Sequence, residues 1–143
     1  MSTMVEARAW TLAELASAGP AQVEFTVTAD DMARFAALSG DFNPLHTDDA
    51  FARGKGFSGV VVYGALLTAK VSQLIGMQLP GRDSVWAGLD IAFRKPLYVG
   101  QPAQIEANVT EVSESTGMVM LAIVIRAEGK VLAKGTAEVV LAS

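Results

Sequence analysis

Apolar and polar residues alternate along five stretches of this chain, and such alternation predicts β-strands with one face in a core. The five stretches are residues 23–27, 85–93, 103–110, 119–125 and 131–141. In the second stretch the predicted apolar face consists of Val85, Ala87, Leu89, Ile91 and Phe93, with Trp86 on the other face. The stretch at 119–125 is apolar on both faces, which predicts a strand at the centre of the sheet or at a subunit interface. A break in the alternation before Val112 predicts a β-bulge.

Two stretches have helical spacing instead. Residues 31–38 predict a short helix that ends at Gly40. Residues 64–78 predict a longer helix with one apolar stripe, formed by Leu67, Val71, Leu74 and Ile75. Lys70 is the only charged residue of this helix, so we expect it to be buried on nearly every side. Its small residues form another face, suited to subunit or sheet packing: Ala65, Thr68, Ala69, Ser72 and Gly76.

The chain is 143 residues long, which predicts a single domain spanning residues 1–143. The elements predict an α+β architecture, a mostly antiparallel sheet packed around one central helix. Residues 1–20 form an N-terminal arm in this prediction, attached through Trp10, Leu12 and Leu15. Apolar residues make up 51% of the chain and charged residues only 18%, so we expect part of the surface to be covered in a homo-oligomer.

Charge and composition argue against several functions. The formal net charge of −4 and the lack of a basic run argue against nucleic-acid binding. The chain has no cysteine, which excludes disulfides and thiolate catalysis, and its single histidine disfavours a zinc site. The N-terminus has no apolar segment of the signal-peptide type, and the longest uncharged run is shorter than the roughly 20 residues that span a bilayer. We therefore expect a cytoplasmic protein that does not insert into membranes.

The densest group of chemically active side chains follows the first predicted helix. It holds the only histidine, His46, together with Asp41 and Asn43. Pro44 prevents the helix from continuing, so we expect His46 to follow a stiff bend. A loop held between two helix ends can direct the Asp41 carboxylate and the His46 imidazole at one point, which general acid–base catalysis requires. Asp48 is expected to cap the next short helix, and Asn43 fits either bracing of the site or ordinary turn chemistry.

Residues 35–46, with the core Asp-x-Asn-Pro-Leu-His, strongly resemble the hydratase motif of the MaoC-like (R)-specific enoyl-CoA hydratases. The resemblance continues through residues 62–66, 78–81 and 93–100, and spans roughly residues 22–141. That family has the hot-dog fold, in which a curved antiparallel sheet wraps around a long central helix. The resemblance therefore implies the same architecture that the apolar pattern predicts.

The resemblance also implies a role for individual residues. Asp41 and His46 would be the catalytic pair that holds a water against the β-carbon of a trans-2-enoyl thioester, and Asn43 would brace the loop. The backbone N–H of Gly64 would bind the thioester oxygen at the start of the long helix. The acyl-tunnel positions of the family correspond to Ser72 and, more loosely, to Ile75 and Val139. The implied reaction is reversible hydration of an enoyl-CoA to an (R)-3-hydroxyacyl-CoA, without a metal or redox cofactor.

Two positions beside Gly64 depart from the family pattern. Tyr63 replaces the usual histidine, and Ala65 replaces the usual methionine. The catalytic pair is intact, so the prediction of a hydratase is retained, and the departures bear on acyl-chain preference and on the pocket mouth. Gly64 is also explained by tight packing alone.

Three other functions fit parts of the same sequence. The same chemistry on an acyl-carrier-protein thioester would make the chain a 3-hydroxyacyl dehydratase. A carboxylate and a water directed at the carbonyl carbon would make it a hot-dog thioesterase. The departure at Tyr63 leaves room for a non-catalytic acyl-CoA-binding protein. Basic residues that either meet CoA phosphates or stay solvated are Arg53, Lys55, Arg82, Arg94 and Lys95.

Overall fold

The structure is a computed structural model, and it describes residues 5–142. Its helices are α1 (Leu12–Leu15), α2 (Ala29–Ser39), α3 (Pro44–Thr47), α4 (Asp49–Gly54) and α5 (Gly64–Met77). Its strands are β1 (Ala21–Thr26), β2 (Ser84–Phe93), β3 (Pro102–Val112), β4 (Met118–Ala127) and β5 (Lys130–Leu141). Residues 1–4 of the predicted arm and Ser143 lie outside the described residues. Within residues 5–142, no helix combines the length and the apolar character that a membrane span needs.

The strands form one antiparallel sheet in the order β1-β3-β4-β5-β2. β4 lies at its centre, as its two apolar faces predicted, and buries Val119, Leu121, Ile123 and Ile125 completely. β1 and β2 are the two edges, and α5 contacts both of them as well as β3. A helix that reaches both edges lies across the concave face of a curved sheet. The predicted α+β fold, a curved antiparallel sheet wrapped around a long central helix, is therefore confirmed.

The predicted strand ends differ from the observed ones by at most two residues. β3 also contains the predicted bulge, since its pairing with β4 shifts register between Val109 and Glu111. The residues on either side of this shift keep their alternation because the bulge absorbs one residue.

The long helix α5 supplies the core on one side only. The residues of this helix that are buried against the sheet are Leu66, Leu67, Val71, Leu74 and Ile75. The opposite face is exposed at Ala65, Ala69, Ser72 and Gln73. The prediction that this helix is buried on nearly every side is therefore wrong for the single chain. The prediction was based on a low charge count, which does not distinguish a core from a surface that another chain covers.

The predicted face of β2 is wrong at both ends of the strand. Val85 is 55% exposed and Ala87 is exposed, whereas Trp86 packs against the core. The register shifts between Trp86 and Gly88, and this bulge inverts the face on which the later residues lie. Phe93, at the end of the strand, is 48% exposed. The residues between them pack inward as predicted, namely Leu89 and Ile91.

The described part of the predicted arm packs on the body of the molecule. Leu15 is fully buried, and the Trp10 indole N–H donates to the Gln78 carbonyl at 2.7 Å. The arm also contains the short helix α1, which the sequence analysis missed. Its signal is a capping box in which the Thr11 and Glu14 side chains each accept from the other's backbone N–H.

α2 begins two residues before its predicted start, because Thr28 caps it. The Thr28 hydroxyl accepts from the Asp31 N–H at 3.0 Å, and the Asp31 carboxylate accepts from the Thr28 N–H at 2.9 Å. The hydrogen bond from the Thr28 backbone, followed by that from the Thr28 side chain, lowers the pKa of Asp31. The ionised cap therefore stabilises the folded state fully at pH values above the ordinary carboxyl pKa. This stabilisation is lost as pH falls through the lowered pKa. The helix ends at Gly40, whose φ of 77° is left-handed, as predicted.

Replacing Gly135 in β5 with alanine is expected to destabilise the sheet. A Cβ there would stand against the Asp90 carbonyl oxygen and 2.8 Å from the Ile91 Cα, both in the backbone of β2. Because a paired strand cannot move aside, we expect Gly135→Ala to lower the free energy of unfolding by ~1–3 kcal/mol, as measured by denaturant unfolding. Gly54→Ala is the matched control, since a Cβ there meets nothing within 4 Å. Equal losses in the two variants would contradict this explanation.

Candidate active site

Asp41 directly follows the glycine cap of α2. Its backbone N–H donates to Ser39 Oγ at 3.1 Å, and its Oδ1 accepts from the Asn43 N–H at 3.0 Å. This turn fixes the carboxylate relative to its own main chain. The second oxygen, Oδ2, takes part in no hydrogen bond among residues 5–142, and the residue is exposed. Oδ2 is therefore available to accept from a water.

His46 lies in α3, which begins at Pro44. Asn43 is the N-cap of this helix, with its Oδ1 accepting from the Leu45 N–H at 2.9 Å. Proline fits the first helical position because its missing N–H is not needed there. The predicted stiff bend is therefore the start of a new four-residue helix. Asp48 caps the following helix, α4, as predicted, by accepting from the Phe51 N–H at 3.1 Å.

The His46 imidazole is held in one tautomer. Its Nδ1 lies 2.6 Å from the Val61 carbonyl oxygen. A carbonyl oxygen can only accept, so Nδ1 carries the proton and Nε2 of the neutral ring is an acceptor. The Val61 N–H in turn donates to the Leu45 carbonyl at 3.1 Å. α3 is thus tied twice to the segment that leads into α5.

Tyr63 contacts both members of the predicted catalytic pair. Its hydroxyl donates to the Asp41 backbone carbonyl at 2.7 Å, and its ring stacks on the His46 imidazole with centroids 4.1 Å apart and planes at 27°. Burial, and to a lesser extent the Asp41 charge, raise the pKa of Tyr63. The sequence analysis identified Tyr63 only as a departure from the family pattern, and no local pattern in the sequence predicts its contacts with Asp41 and His46.

Gly64 opens α5, and no side chain caps this end of the helix. The N–H groups of Leu66 and Leu67 both donate to the Tyr63 carbonyl. The N–H groups of Gly64 and Ala65 are then the first-turn donors that the helix itself leaves without a partner. A Cβ at Gly64 would lie 3.1 Å from the Phe93 ring. The glycine therefore packs tightly, as one of its two explanations predicted, and its amide lies at the positive end of the helix. Its binding of a thioester oxygen stays a prediction.

His46 and Gly64 line one cavity of about 320 Å³, together with Phe93, Arg94 and Lys95. His46 also lines a larger neighbouring cavity of about 760 Å³. The second cavity is mainly apolar, and its lining includes Met32, Ala36, Phe42 and Val60. One basic and one acidic residue also line it, Arg53 and Asp49. The imidazole therefore lines both the cavity at the uncapped start of α5 and the larger, mainly apolar cavity.

The predicted tunnel residues lie elsewhere in the single chain. Ser72 is exposed on the open face of α5, and Ile75 is 2% exposed within the core. Val139 is fully buried in β5. Tyr63 contacts Asp41 and His46 and directly precedes Gly64. The residues that His46 and Gly64 join in lining their shared cavity do not include Asp41, Asn43, Ser72 or Ile75.

Asn43→Ala is expected to lower activity more than Asn43→Asp. Alanine removes the acceptor that caps α3, and that helix carries His46. Aspartate caps as well as asparagine, whereas loss of such a cap costs ~1 kcal/mol. We expect a lower kcat in Asn43→Ala and near-native kcat in Asn43→Asp, measured with enoyl-CoA as substrate. Equal activity of Asn43→Ala and the native chain would show that the cap does not position the site.

Comparison with known proteins places this geometry in a family. The family model described as MaoC like domain matches residues 14–131. An (R)-specific enoyl-CoA hydratase from Aeromonas caviae is 42% identical over 105 residues, which cover 73% of this chain and 78% of that protein. The solved structure of the (R)-hydratase from A. caviae involved in PHA biosynthesis matches with a TM-score of 0.82 at 38% identity, over 86% of this chain and 94% of the other. An unliganded R-hydratase from Pseudomonas aeruginosa matches with a TM-score of 0.84 at 30% identity, over 92% and 85% of the two chains. The chain belongs to the MaoC-like domain family.

Proposed function

We propose that this chain is an (R)-specific enoyl-CoA hydratase, which adds water reversibly to a trans-2-enoyl-CoA to give an (R)-3-hydroxyacyl-CoA. The observation that carries the proposal is the position of His46. The His46 ring, whose Nε2 is the acceptor, lines the same cavity as Gly64, the first residue of the uncapped helix α5. The ring also stacks on Tyr63, whose hydroxyl donates to the Asp41 backbone carbonyl. The relatives with this name match most of the chain, which supports the same assignment.

One water is the nucleophile in the proposed reaction. Its two O–H groups donate to Asp41 Oδ2 and His46 Nε2, so an oxygen lone pair is left to attack the β-carbon. Asp41 removes a proton as the carbon–oxygen bond forms. The proton passes to His46 Nε2 and then to the α-carbon, so that one O–H bond and the carbon–carbon π bond break while one C–O and one C–H bond form. Acid–base catalysis of this kind contributes ~10²–10⁴ in rate.

The negative charge of the reaction develops on the thioester oxygen. As water adds, the electrons of the carbon–carbon double bond move toward the carbonyl, and the Gly64 N–H is proposed to donate to that oxygen. The positive end of α5 favours the same charge. One such donor is worth ~10²–10³ in rate. Every step is a proton transfer or an addition without change of oxidation level, so the proposed reaction needs no redox cofactor.

We propose further that the chain works as a homodimer or a higher homo-oligomer. β2 is an edge strand with an open side, and Val85 and Phe93 on it are exposed. An apolar edge of this kind invites pairing with another chain. The exposed face of α5 supports the same proposal, because its small residues, such as Ala65 and Ala69, would let another chain pack closely. The predicted tunnel role of Ser72 depends on such a second chain, because Ser72 is open to solvent in one chain.

Dehydration of a 3-hydroxyacyl group on an acyl carrier protein is the second candidate. Arg94 and Lys95 line the cavity that holds His46 and Gly64, and a basic rim suits an acidic carrier protein as well as CoA phosphates. Competition between crotonyl-CoA and a crotonyl carrier protein separates the two functions. We expect the CoA thioester to have the higher kcat/KM.

Loss of enoyl absorbance on mixing the purified protein with crotonyl-CoA tests the proposal. A thiol reagent in a parallel sample detects free CoA, which only a thioesterase releases. We expect the absorbance to fall without thiol release. Thiol release at the rate of absorbance loss would assign a thioesterase, and tight binding without turnover of short- and medium-chain enoyl-CoAs would assign a binding protein.

A further inference from the structure

We propose that Tyr63 is a positioning residue that orients Asp41 and His46 together. This inference rests on the proposed function and extends it to a residue at which the chain departs from its family. Tyr63 is only 2% exposed, so almost none of its side chain is available to contact a substrate. Its action would therefore pass through the two residues that it touches.

The first contact fixes the main chain at Asp41. The Tyr63 hydroxyl donates to the Asp41 carbonyl oxygen at 2.7 Å, across 22 positions of sequence. The Asp41 side chain is closed onto its own backbone through the Asn43 N–H. Because of that turn, a displacement of the Asp41 main chain would displace the carboxylate as well.

The second contact fixes the plane of the His46 ring. The hydrogen bond from Nδ1 to Val61 sets the rotation of the ring within its plane, but leaves the ring free to tilt about that bond. The stacked Tyr63 ring blocks this tilt on one face. Phe35 supports the tyrosine in turn, with its ring centroid 4.7 Å away. Two contacts of different kinds thus determine where Nε2 points.

A phenol suits this position because it stays neutral. The titratable groups that touch Tyr63 or act on it electrostatically are Asp41 and His46. Burial and the Asp41 charge raise the Tyr63 pKa above its ordinary value of 10.0, so the hydroxyl remains a donor throughout the working range. A histidine at this position has an ordinary pKa of about 6.5 and would become charged beside Asp41 within that range.

Three variants separate the two contacts. Tyr63→Phe keeps both ring contacts and removes only the hydroxyl, Tyr63→Leu removes the ring, and Tyr63→His installs the family residue. The matched control is Trp10→Phe, which also removes one side-chain donor to a backbone carbonyl, at 2.7 Å, but in the arm. We expect Tyr63→Phe to lower kcat by ~10–10² with little change in KM, since small misplacements of catalytic groups have effects of that size. Trp10→Phe should lower stability without changing kcat.

The pH profile gives a readout that a purely structural role would not move. Tyr63→His adds a second imidazole beside Asp41 and His46, so we expect its kcat profile to gain one ionisation beyond those of the native enzyme and Tyr63→Phe. A kcat for Tyr63→Phe equal to that of the native enzyme, or a Tyr63→His profile of native shape, would overturn the proposal.

Nuclear magnetic resonance distinguishes failure of this proposal from failure of the proposed function. His46 is the only histidine, so in tag-free protein its ring gives one set of signals. Stacking on Tyr63 predicts a ring-current shift that Tyr63→Phe retains and Tyr63→Leu loses. Unchanged His46 signals in Tyr63→Leu would overturn the positioning role, whereas a native enzyme that shows the shift but does not hydrate crotonyl-CoA would overturn only the hydratase function.

Discussion

Asp41→Asn is expected to hydrate crotonyl-CoA ~10²–10⁴ times more slowly than the native enzyme. The amide oxygen of the variant can still accept from the Asn43 N–H, so the turn that holds this residue is kept. What is lost is the negative charge and the second acceptor oxygen that removes a proton from water. We therefore expect kcat to fall while the Tm changes little, measured by enoyl absorbance and thermal unfolding.

Asp48→Asn is the matched control for this variant. It removes one negative charge from the same segment, but Asp48 serves as the N-cap of α4. Asparagine and aspartate are equally good caps. Near-native turnover is expected for Asp48→Asn. Near-native turnover in Asp41→Asn would show that Asp41 is not the base.

His46→Asn is expected to lower hydration by a similar factor, ~10²–10⁴. The asparagine amide can donate to the Val61 carbonyl in place of Nδ1, but it offers no nitrogen acceptor where Nε2 lies. His46→Ala removes both groups and leaves the Val61 carbonyl without its partner. We expect the two variants to be equally inactive, with His46→Ala less stable by ~1–3 kcal/mol.

The double variant Asp41→Asn with His46→Asn refines this prediction. Residues that act as one unit in catalysis have strongly non-additive effects. If both side chains hold one water, the double variant should be little slower than the worse single variant. Additive losses would indicate two independent roles, and native turnover of His46→Asn would remove the imidazole from the mechanism.

The elements that periodicity predicted well are those that are buried within one chain. β4 was predicted as central because both of its faces are apolar, and it lies between β3 and β5. Gly40 was predicted to end α2 and does so in a left-handed conformation. In these cases the local pattern and the tertiary environment favour the same structure.

Three features of the fold were mispredicted for physical reasons. The bulge in β2 moves Trp86 inward and Val85 outward, and the alternation from Val85 to Phe93 is unbroken across this bulge, unlike the one at the β3 bulge. The open face of α5 at Ala65 and Ala69 was predicted to be buried because its residues are uncharged. A low charge count does not distinguish a core from a surface that another chain covers. Pro44 was taken only as a helix breaker, although proline also begins helices.

The chemistry of the site could be predicted, but its long-range contacts could not. Asp41 and His46 were identified from their spacing and from the resemblance, and their catalytic roles stay a prediction. The partners that orient them are 15 and 22 positions away, at Val61 and Tyr63. Such contacts depend on how α3 packs against the entrance of α5, which no local pattern encodes.

Hydration of crotonyl-CoA in deuterium oxide tests most directly whether one water, held on one face of the substrate, supplies both the hydroxyl and the new hydrogen. The relative positions of deuterium and hydroxyl in the product are read from its proton–proton coupling. Our account predicts a single diastereomer, with deuterium at the α-carbon and hydroxyl at the β-carbon added to the same face and the β-carbon in the R configuration. Addition to opposite faces, a mixture of diastereomers or the S configuration would contradict it.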